Sequence, residues 1–351
     1  MAARTIVETW TGPGRRDEVI RPVPAGGNGA HLARHRYAFE HWYFDAVLDN
    51  GYLVVAFLQS RELVTRKPGV EVHVYAPDGT RRTLVKRYPA HAVSTSPERC
   101  EVHIGPNSAV LDAAESGLPV HRLRLAEEDI ALDLTFRSEV PAWMPGDGKT
   151  LYGDVEYFAW VVGAPRAAVT GTVRVGDTTM DARGRGYHDH NWGVADMKRI
   201  IDRWYWGRIY ADDLTLVYAS VLTTPGYGAS WVTPLMLAYK DSVVLSTGQV
   251  TVTPGNPRFD ATVRRPYPDS LHLAVADQLD LRLDVRAVVH AHDLLDDLPV
   301  ARNRVVKPLL RAVVGRPGYF RFRSDFTLSA VVDGATQERT GTALHEMVAL
   351  R

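Results

Sequence analysis

The sequence predicts an all-β protein whose antiparallel sheets close into barrels or sandwiches. Three observations lead there: runs alternating apolar with polar residues, turn residues between those runs, and an internal repeat. Alternation at period two puts one face of a strand in a core and the other in solvent. In Ile130-Ala131-Leu132-Asp133-Leu134-Thr135-Phe136 every second residue is large and apolar. Val120–Leu125, Leu214–Leu222, Leu279–Val289 and Phe320–Val332 follow the same rule less strictly. Turn sequences fall between such runs: Asp49-Asn50-Gly51, Pro77-Asp78-Gly79, Pro254-Gly255-Asn256-Pro257 and Asp333-Gly334. Short strands with frequent turns point to barrel or sandwich. One helical insert is expected within Asp293–Val314, where Pro299 and Pro308 divide it. There Val305, Val306, Leu309, Leu310 and Val313 supply an apolar face that either packs in a core or forms a lid.

The repeat gives the domain organisation. His41-Trp42-Tyr43-Phe44 is echoed by Arg203-Trp204-Tyr205-Trp206, 162 residues later. Each is followed by a turn and an apolar strand, Leu53–Leu58 in one case and Leu214–Leu222 in the other. Two tandem β domains follow, residues 1–180 and 181–351, joined near residues 175–195.

Composition excludes several classes. The chain has 351 residues, 45% hydrophobic and 23% charged, with 41 basic and 41 acidic side chains. No basic stripe marks a nucleic-acid or anionic-lipid partner. The longest apolar run, Leu53–Leu58, is too short to span a bilayer. Residues 1–16 contain no apolar signal core, so a cytoplasmic location is expected, with only transient membrane contact left open. A single cysteine, Cys100, rules out an internal disulfide framework and reads as an inert strand residue. Oligomeric state is not legible.

Chemistry concentrates in Gly184-Arg185-Gly186-Tyr187-His188-Asp189-His190-Asn191-Trp192-Gly193. Two imidazoles, a carboxylate, a phenol, an amide and an indole within six positions are too polar for an ordinary core and too aromatic for a solvated loop. The mixture suits a half-buried site where an apolar molecule meets a few placed polar groups. If this stretch is extended, His188, Asp189 and His190 alternate in direction, and at most two of them face one cavity. The glycines answer backbone requirements.

The decapeptide resembles the signature of the hydroxyneurosporene synthase, or carotenoid 1,2-hydratase, family. Glu40-His41-Trp42-Tyr43-Phe44-Asp45-Ala46 is similar to that family's N-terminal motif, and Trp204-x-Trp206 and His345-Glu346 are familiar as well. These matches span most of the chain. The resemblance implies two lipocalin-like (calycin) barrels and a hydrophobic ligand. The wider group contains alkene hydratases and polyene cyclases, fungal Diels–Alderases among them, and many members without a known reaction. No cofactor is implied. The chain departs from the pattern at Tyr218-Ala219-Ser220, where the hydratases carry Tyr-x-Asp. The tyrosine is kept and the acid is absent, so either Asp189, Glu40 or Glu156 replaces it or the protein does not hydrate carotenoids.

Four functions are compatible with these residues. The first is acid–base alkene chemistry on an isoprenoid or polyene: hydration, as in a hydro-lyase, or cyclisation through a protonated intermediate. An acid must keep its proton near neutrality, so His190 and Asp189 are the proton-handling candidates, with His188 and Tyr187 beside them. Trp192, Asn191, Trp204, Trp206, Tyr205, Trp42, Tyr218, Ser220, Glu40 and Glu156 are the candidate substrate-binding set. The second is a pericyclase that folds its substrate in a shaped cavity without proton transfer. The third is a non-catalytic lipid-binding barrel. The fourth is a metal enzyme using His188-x-His190, with His290-x-His292, His345 or Glu346; no metal is assigned. Structural roles compete throughout: Asp189 pairing with Arg203 or Arg208, Glu40 in a salt bridge to an arginine, and Trp42, Tyr43 and Phe44 as core.

Overall fold

A computed structural model describes residues 4–10, 19–115, 117–297, 311 and 315–351. The protein is all-β and antiparallel, with two compact units. The first is essentially Thr9–Ala195; the second is essentially Asp196–Tyr239 with Val244–Arg351.

In the first sheet, neighbouring strands run in the order Arg81–Arg87, Gly69–Tyr75, Leu53–Arg61, Ala38–Leu48, Thr178–Val194, Glu156–Val175, Ile130–Ser138, Leu118–Ala126, Asn107–Glu115, Glu101–Ile104 and Val93–Thr95. The sheet curls around one core. Val70, Val72 and Val74 near one edge share that core with Val102 and Ile104 near the other, and with Phe44, Leu123, Leu134 and Phe136. Ile130–Ser138 shows the predicted alternation: Ile130, Leu132, Leu134 and Phe136 are buried while Asp133 and Arg137 are exposed. Each such side chain contributes about 1.5–3 kcal/mol on burial. Glu127, in the turn between Leu118–Ala126 and Ile130–Ser138, accepts from Lys86 at 2.7 Å and from the Tyr88 hydroxyl, joining the Arg81–Arg87 edge to the far half of the sheet.

The second sheet follows the order Ser242–Thr247, Leu235–Tyr239, Leu214–Thr223, Ile201–Ala211, Ala335–Ala349, Gly318–Val332, Leu279–Asp293, Ser270–Val275 and Thr251–Pro254. The plan is the same in both. The strand bearing the repeated aromatics lies between its hairpin partner and the last strand of its unit.

The expected boundary at 180/181 falls inside the Thr178–Val194 strand, and the division comes after Ala195. The reason is pairing: the decapeptide registers against Ala38–Leu48 throughout, from Gly184 opposite Leu48 to Val194 opposite Ala38. Of the expected helical insert, Leu294–Asp297 forms a short 3₁₀ turn. Residues 298–310 and 312–314, with Pro299, Pro308 and the proposed apolar face, lie outside the described residues. Among the described residues no helix is long and apolar enough to cross a membrane. Cys100 is buried, and burial pushes its thiol up, away from the reactive thiolate.

Candidate functional site

The decapeptide is the middle of a sheet. Thr178–Val194 pairs with Ala38–Leu48 on one side and Glu156–Val175 on the other. Strand alternation therefore sorts its functional groups. His188 and His190 join the face of Phe44 and Trp42, which is the core face. Tyr187, Asp189 and Asn191 join the opposite face, with Asp45, Tyr43 and His41 as their register partners. Gly186 is required by this pairing. A Cβ there would lie 2.6 Å from the Asp45 carbonyl oxygen and 2.6 Å from Phe136 and Val169.

On the core face each imidazole stacks on the aromatic ring opposite it. His190 and Trp42 have ring centroids 4.3 Å apart at 5°, and His188 and Phe44 4.0 Å apart at 8°. Trp192 stacks on the other side of His190 at 4.7 Å, and exposed His31 closes the column on Trp192 at 4.2 Å. His190 Nε2 lies 3.3 Å from Glu40 Oε1, both side chains fully buried. Glu40 also accepts from the His31 amide at 2.5 Å and the Ser60 hydroxyl at 2.6 Å. Burial raises the Glu40 pKa, but His190 and these donors outweigh it and hold the carboxyl below its ordinary value. Burial lowers His190.

His188 donates from Nδ1 to the Tyr43 carbonyl at 2.8 Å, leaving Nε2 to accept from Asn28 Nδ2 at 3.0 Å. The same amide reaches His121 Nε2 at 3.3 Å. Burial holds His188 well below its ordinary value and His121 at about 3, so both imidazoles are neutral. Cys100, His121 and His188 bring donor atoms within 4.8 Å of one another, a spacing open to a soft divalent ion. Asn28 Nδ2 hydrogen-bonds the Nε2 atoms of both these imidazoles.

The opposite face is built around a carboxyl. Asp189 Oδ2 accepts from Trp160 Nε1 at 2.9 Å and from the Tyr187 hydroxyl at 2.9 Å, and Oδ1 accepts from Asn191 Nδ2 at 2.8 Å. Burial pushes its pKa up to about 7 against the pull of Trp160 and Tyr187, with the nearby Asp45 charge adding to the rise. Asp45 accepts from the Tyr43 hydroxyl at 2.7 Å. Tyr43 and Tyr187 meet edge to face with centroids 6.1 Å apart. Two Tyr-x-Asp pairs thus run antiparallel: Tyr43 opposite Asp189, and Asp45 opposite Tyr187. Half-buried His41, Phe57 and Asn191 extend this face. Burial takes His41 down to about 4, so it carries no charge near neutrality.

The strand therefore separates His190 from Asp189, which the sequence paired. The carboxylate beside His190 is Glu40, and Asp189 accepts from Trp160, Tyr187 and Asn191. Glu40 meets an imidazole rather than an arginine. Glu156 is buried at the start of its strand, opposite Tyr152. It shares the Trp160 face but lies four residues away, roughly 13 Å along the strand. Tyr205, Tyr218 and Ser220 are fully buried, with both tyrosines in the core of the second unit; Trp204 and Trp206 lie half-buried on the alternate face of their strand. His290 and His292 stack at 6.2 Å on the second sheet. His345 accepts or donates through Nε2 to Ser324 Oγ at 2.8 Å, and Glu346 holds Arg321. Asp45, Tyr43 and Trp160 were not singled out from sequence. The available signal was the duplicated Tyr-x-Asp in Tyr43-Phe44-Asp45 and Tyr187-His188-Asp189.

Comparison with known proteins agrees with this architecture. The chain is 43% identical over 65 residues to a hydroxyneurosporene dehydrogenase of Chlorobaculum tepidum, 17% of each protein. It is 28% identical over 215 residues to the quinolone epoxide rearrangement protein asqO of Emericella nidulans, 56% of this chain and 58% of that one. The matched regions thus span less than two thirds of these relatives. Among solved structures, an AttH-type protein of Nitrosomonas europaea shares the fold at a TM-score of 0.59 and 15% identity, covering 95% of this chain and 100% of that one. Kievitone hydratase of Nectria haematococca does so at 0.53 and 14%, covering 99% and 96%. The AttH-like family profile matches residues 79–299, well over half of the sequence, and the chain belongs to the AttH-like family.

Proposed function

We propose that this protein is an enzyme that protonates a hydrophobic, unsaturated small molecule of the isoprenoid or polyene kind, with water addition or ring closure following. One observation carries the reading: Asp189 is a buried carboxyl with a pKa of about 7, so it still holds a proton near neutrality. Trp160, Tyr187 and Asn191 fix its orientation. Its proton would go to the less substituted alkene carbon, leaving a tertiary cation. The rings of Trp160, Tyr187, Tyr43 and Phe57 are electron-rich or apolar surfaces suited to that cation. Water then adds with loss of its own proton, or an internal alkene closes a ring and a neighbouring proton leaves. The relatives named for hydroxyneurosporene, for quinolone epoxide rearrangement and for kievitone hydration support an enzyme that acts on hydrophobic small molecules.

The test is incubation with a panel of acyclic isoprenoids and polyenes in heavy-oxygen water, comparing wild type with Asp189→Asn. Label in the product marks hydration; an unlabelled isomer marks cyclisation. Asp189→Asn should lower turnover by about 10²–10⁴-fold. Full turnover in that variant, or polyenes bound and returned unchanged, overturns the reading.

A further inference from the structure

We propose that Cys100, His121 and His188 form a copper(I) site inside the first unit, with the Asn28 amide as a weaker fourth donor. His188 lies on the core face of its strand and Asp189 on the other face, so the site stands apart from the proton-donor reading.

Three separate segments supply the donors. Cys100 ends the bend before Glu101–Ile104, His121 belongs to Leu118–Ala126 and His188 to Thr178–Val194. All three side chains are sealed in the core, and one donor atom from each lies within 4.8 Å of the other two. Donors held about 2.0–2.3 Å from one ion lie roughly 3.5–4 Å apart, so closure needs about 1 Å of movement at most. The two rings already meet edge to face, with centroids 4.5 Å apart. The surroundings prepare these groups. His188 donates from Nδ1 to the Tyr43 carbonyl at 2.8 Å, which turns the Nε2 lone pair inward. A carbonyl on the far nitrogen is the usual support of a metal-bound imidazole. Gly163 leaves room at Nε2: a Cβ there would lie 2.6 Å from Asn28 Nδ2 and 2.9 Å from His188 Nε2. The segment carrying Asn28 is fastened to the one leading to Cys100. The Ala30 amide donates to the Ser96 carbonyl at 2.8 Å, and a Cβ on Gly29 would lie 2.3 Å from the Pro97 carbonyl oxygen.

Hydrogen bonding leaves polar atoms over in this cluster. The Asn28 amide gives its hydrogens to the two Nε2 atoms, and among the described residues neither His121 Nδ1 nor Asn28 Oδ1 then has a partner. Buried polar atoms are rarely left so, and a bound ion is one of the usual reasons. Amide oxygen and nitrogen exchange places with no change of shape. Turned over, Oδ1 would stand 3.0 and 3.3 Å from the Nε2 atoms of His188 and His121. That is close to the roughly 3.3 Å between donors around one ion. Spacing admits zinc as well as copper, and charge favours copper(I). Binding replaces the Cys100 thiol proton, which leaves to solvent, while both imidazoles bind as neutral rings. The ligand set then carries one negative charge. Copper(I) makes the site neutral within the apolar core that holds Cys100, Phe44 and Leu123. A divalent ion would leave a positive charge buried there, at a cost in free energy. One thiolate, two imidazoles and a weak oxygen are also a donor set that copper favours.

The experiment takes the full chain, reduced, metal-free and kept from oxygen. It competes for copper(I) against a chromophoric copper(I) chelator, with zinc(II) titrated in parallel. One copper(I) per chain is expected, with sulfur in its coordination shell by X-ray absorption. Cys100→Ser, close in size, should weaken copper binding by more than the roughly 10–100-fold that loss of an outer partner costs. Gly163→Ala should weaken it by crowding Asn28 and His188, and Asp189→Asn should leave it unchanged. The sulfur signal is read in wild type, so the outcome does not hang on a variant that fails to fold. No copper(I) taken from the chelator, a copper shell without sulfur, or equal binding by Cys100→Ser overturns the site. Zinc(II) held in preference to copper(I) overturns the charge argument and the copper assignment with it. Each of these results leaves the Asp189 reading standing.

Discussion

The two units share one strand order yet use their repeated aromatic strand in opposite phase. In the first, Trp42 and Phe44 face the core and Tyr43 and Asp45 face away. In the second, Tyr205 and Ile209 face the core, while Trp204 and Trp206 are half-buried on the other side. A slip of one residue exchanges the two faces of a strand. The sequence echo, Trp-Tyr-aromatic in both places, therefore marks equivalent strands without marking equivalent side chains. In the first unit the same phase sets Trp42 against His190 and leaves two Tyr-x-Asp pairs together on the other face. In the second, Tyr218 and Ser220 point into the interior, and an aspartate at 220 would be a buried charge there.

The largest expected effect tests this phase directly. Trp42→Ala removes a fully buried indole and should cost about 3–5 kcal/mol of stability. Its echo Trp204→Ala removes a half-exposed one and should cost far less, about 1 kcal/mol. Chemical denaturation of the two variants checks the pair. Equal losses would mean that the echoed tryptophans are equivalent after all.

Much of this was legible from sequence, and the limits have physical causes. Alternation revealed the strands because each sheet buries one face. The repeat revealed two units because the same strand occupies the same place in each sheet. The boundary moved to Ala195 because hydrogen-bonding along Ala38–Leu48 continues past the glycines, and a glycine cluster looks like a joint whether or not the ladder stops there. Alternation also fixed that His188 and Asp189 would diverge. It did not fix which of them meets the core, since that depends on which residues of Ala38–Leu48 lie opposite. Asp45 stayed hidden for the same reason: its importance comes from Tyr187 and Asp189, some 140 positions away in sequence and next to it across the ladder.

A second effect separates the units by charge. The Asp189 pKa is raised from an unfolded value of about 3.9 to about 7. Between those values the folded state holds a proton that the unfolded state has lost. The Asp189 contribution to stability is therefore full below about pH 4, falls as pH rises to about 7, and is flat beyond. The slope is about 1.4 kcal/mol per pH unit in that window. Wild type should lose stability relative to Asp189→Asn by about 4 kcal/mol across it. Denaturant midpoints of both proteins from pH 4 to 8 measure the difference, and a difference that rises or stays level with pH contradicts a raised Asp189. Ser220→Ala, in the second unit, should leave the wild-type pH profile unchanged, because no ionisable group is removed.

The smallest effect concerns how closely the two sheets are assembled around a missing side chain. Gly186 and Gly341 each sit on the last strand of a unit. At Gly186 an added methyl would lie 2.6 Å from the Asp45 carbonyl oxygen, with Phe136 and Val169 equally close. A backbone carbonyl bonded into a central ladder has nowhere to go, so the strands must part, at a cost of about 1–3 kcal/mol. The same shift would carry Asp45 away from Asp189. At exposed Gly341 the three atoms nearest the added methyl all belong to the Phe326 ring, the closest at 2.9 Å. A ring can tilt by the few tenths of an ångström needed, and alanine loses less chain entropy on folding than glycine. Gly341→Ala should therefore lie within about 0.5 kcal/mol of wild type, on either side. Thermal unfolding of both variants, with the Asp189 titration midpoint recorded by carboxyl NMR for Gly186→Ala, joins stability to the site. If Gly186→Ala is tolerated and the Asp189 midpoint does not move, the close ladder contact at Gly186 is not what holds Asp189 in its setting.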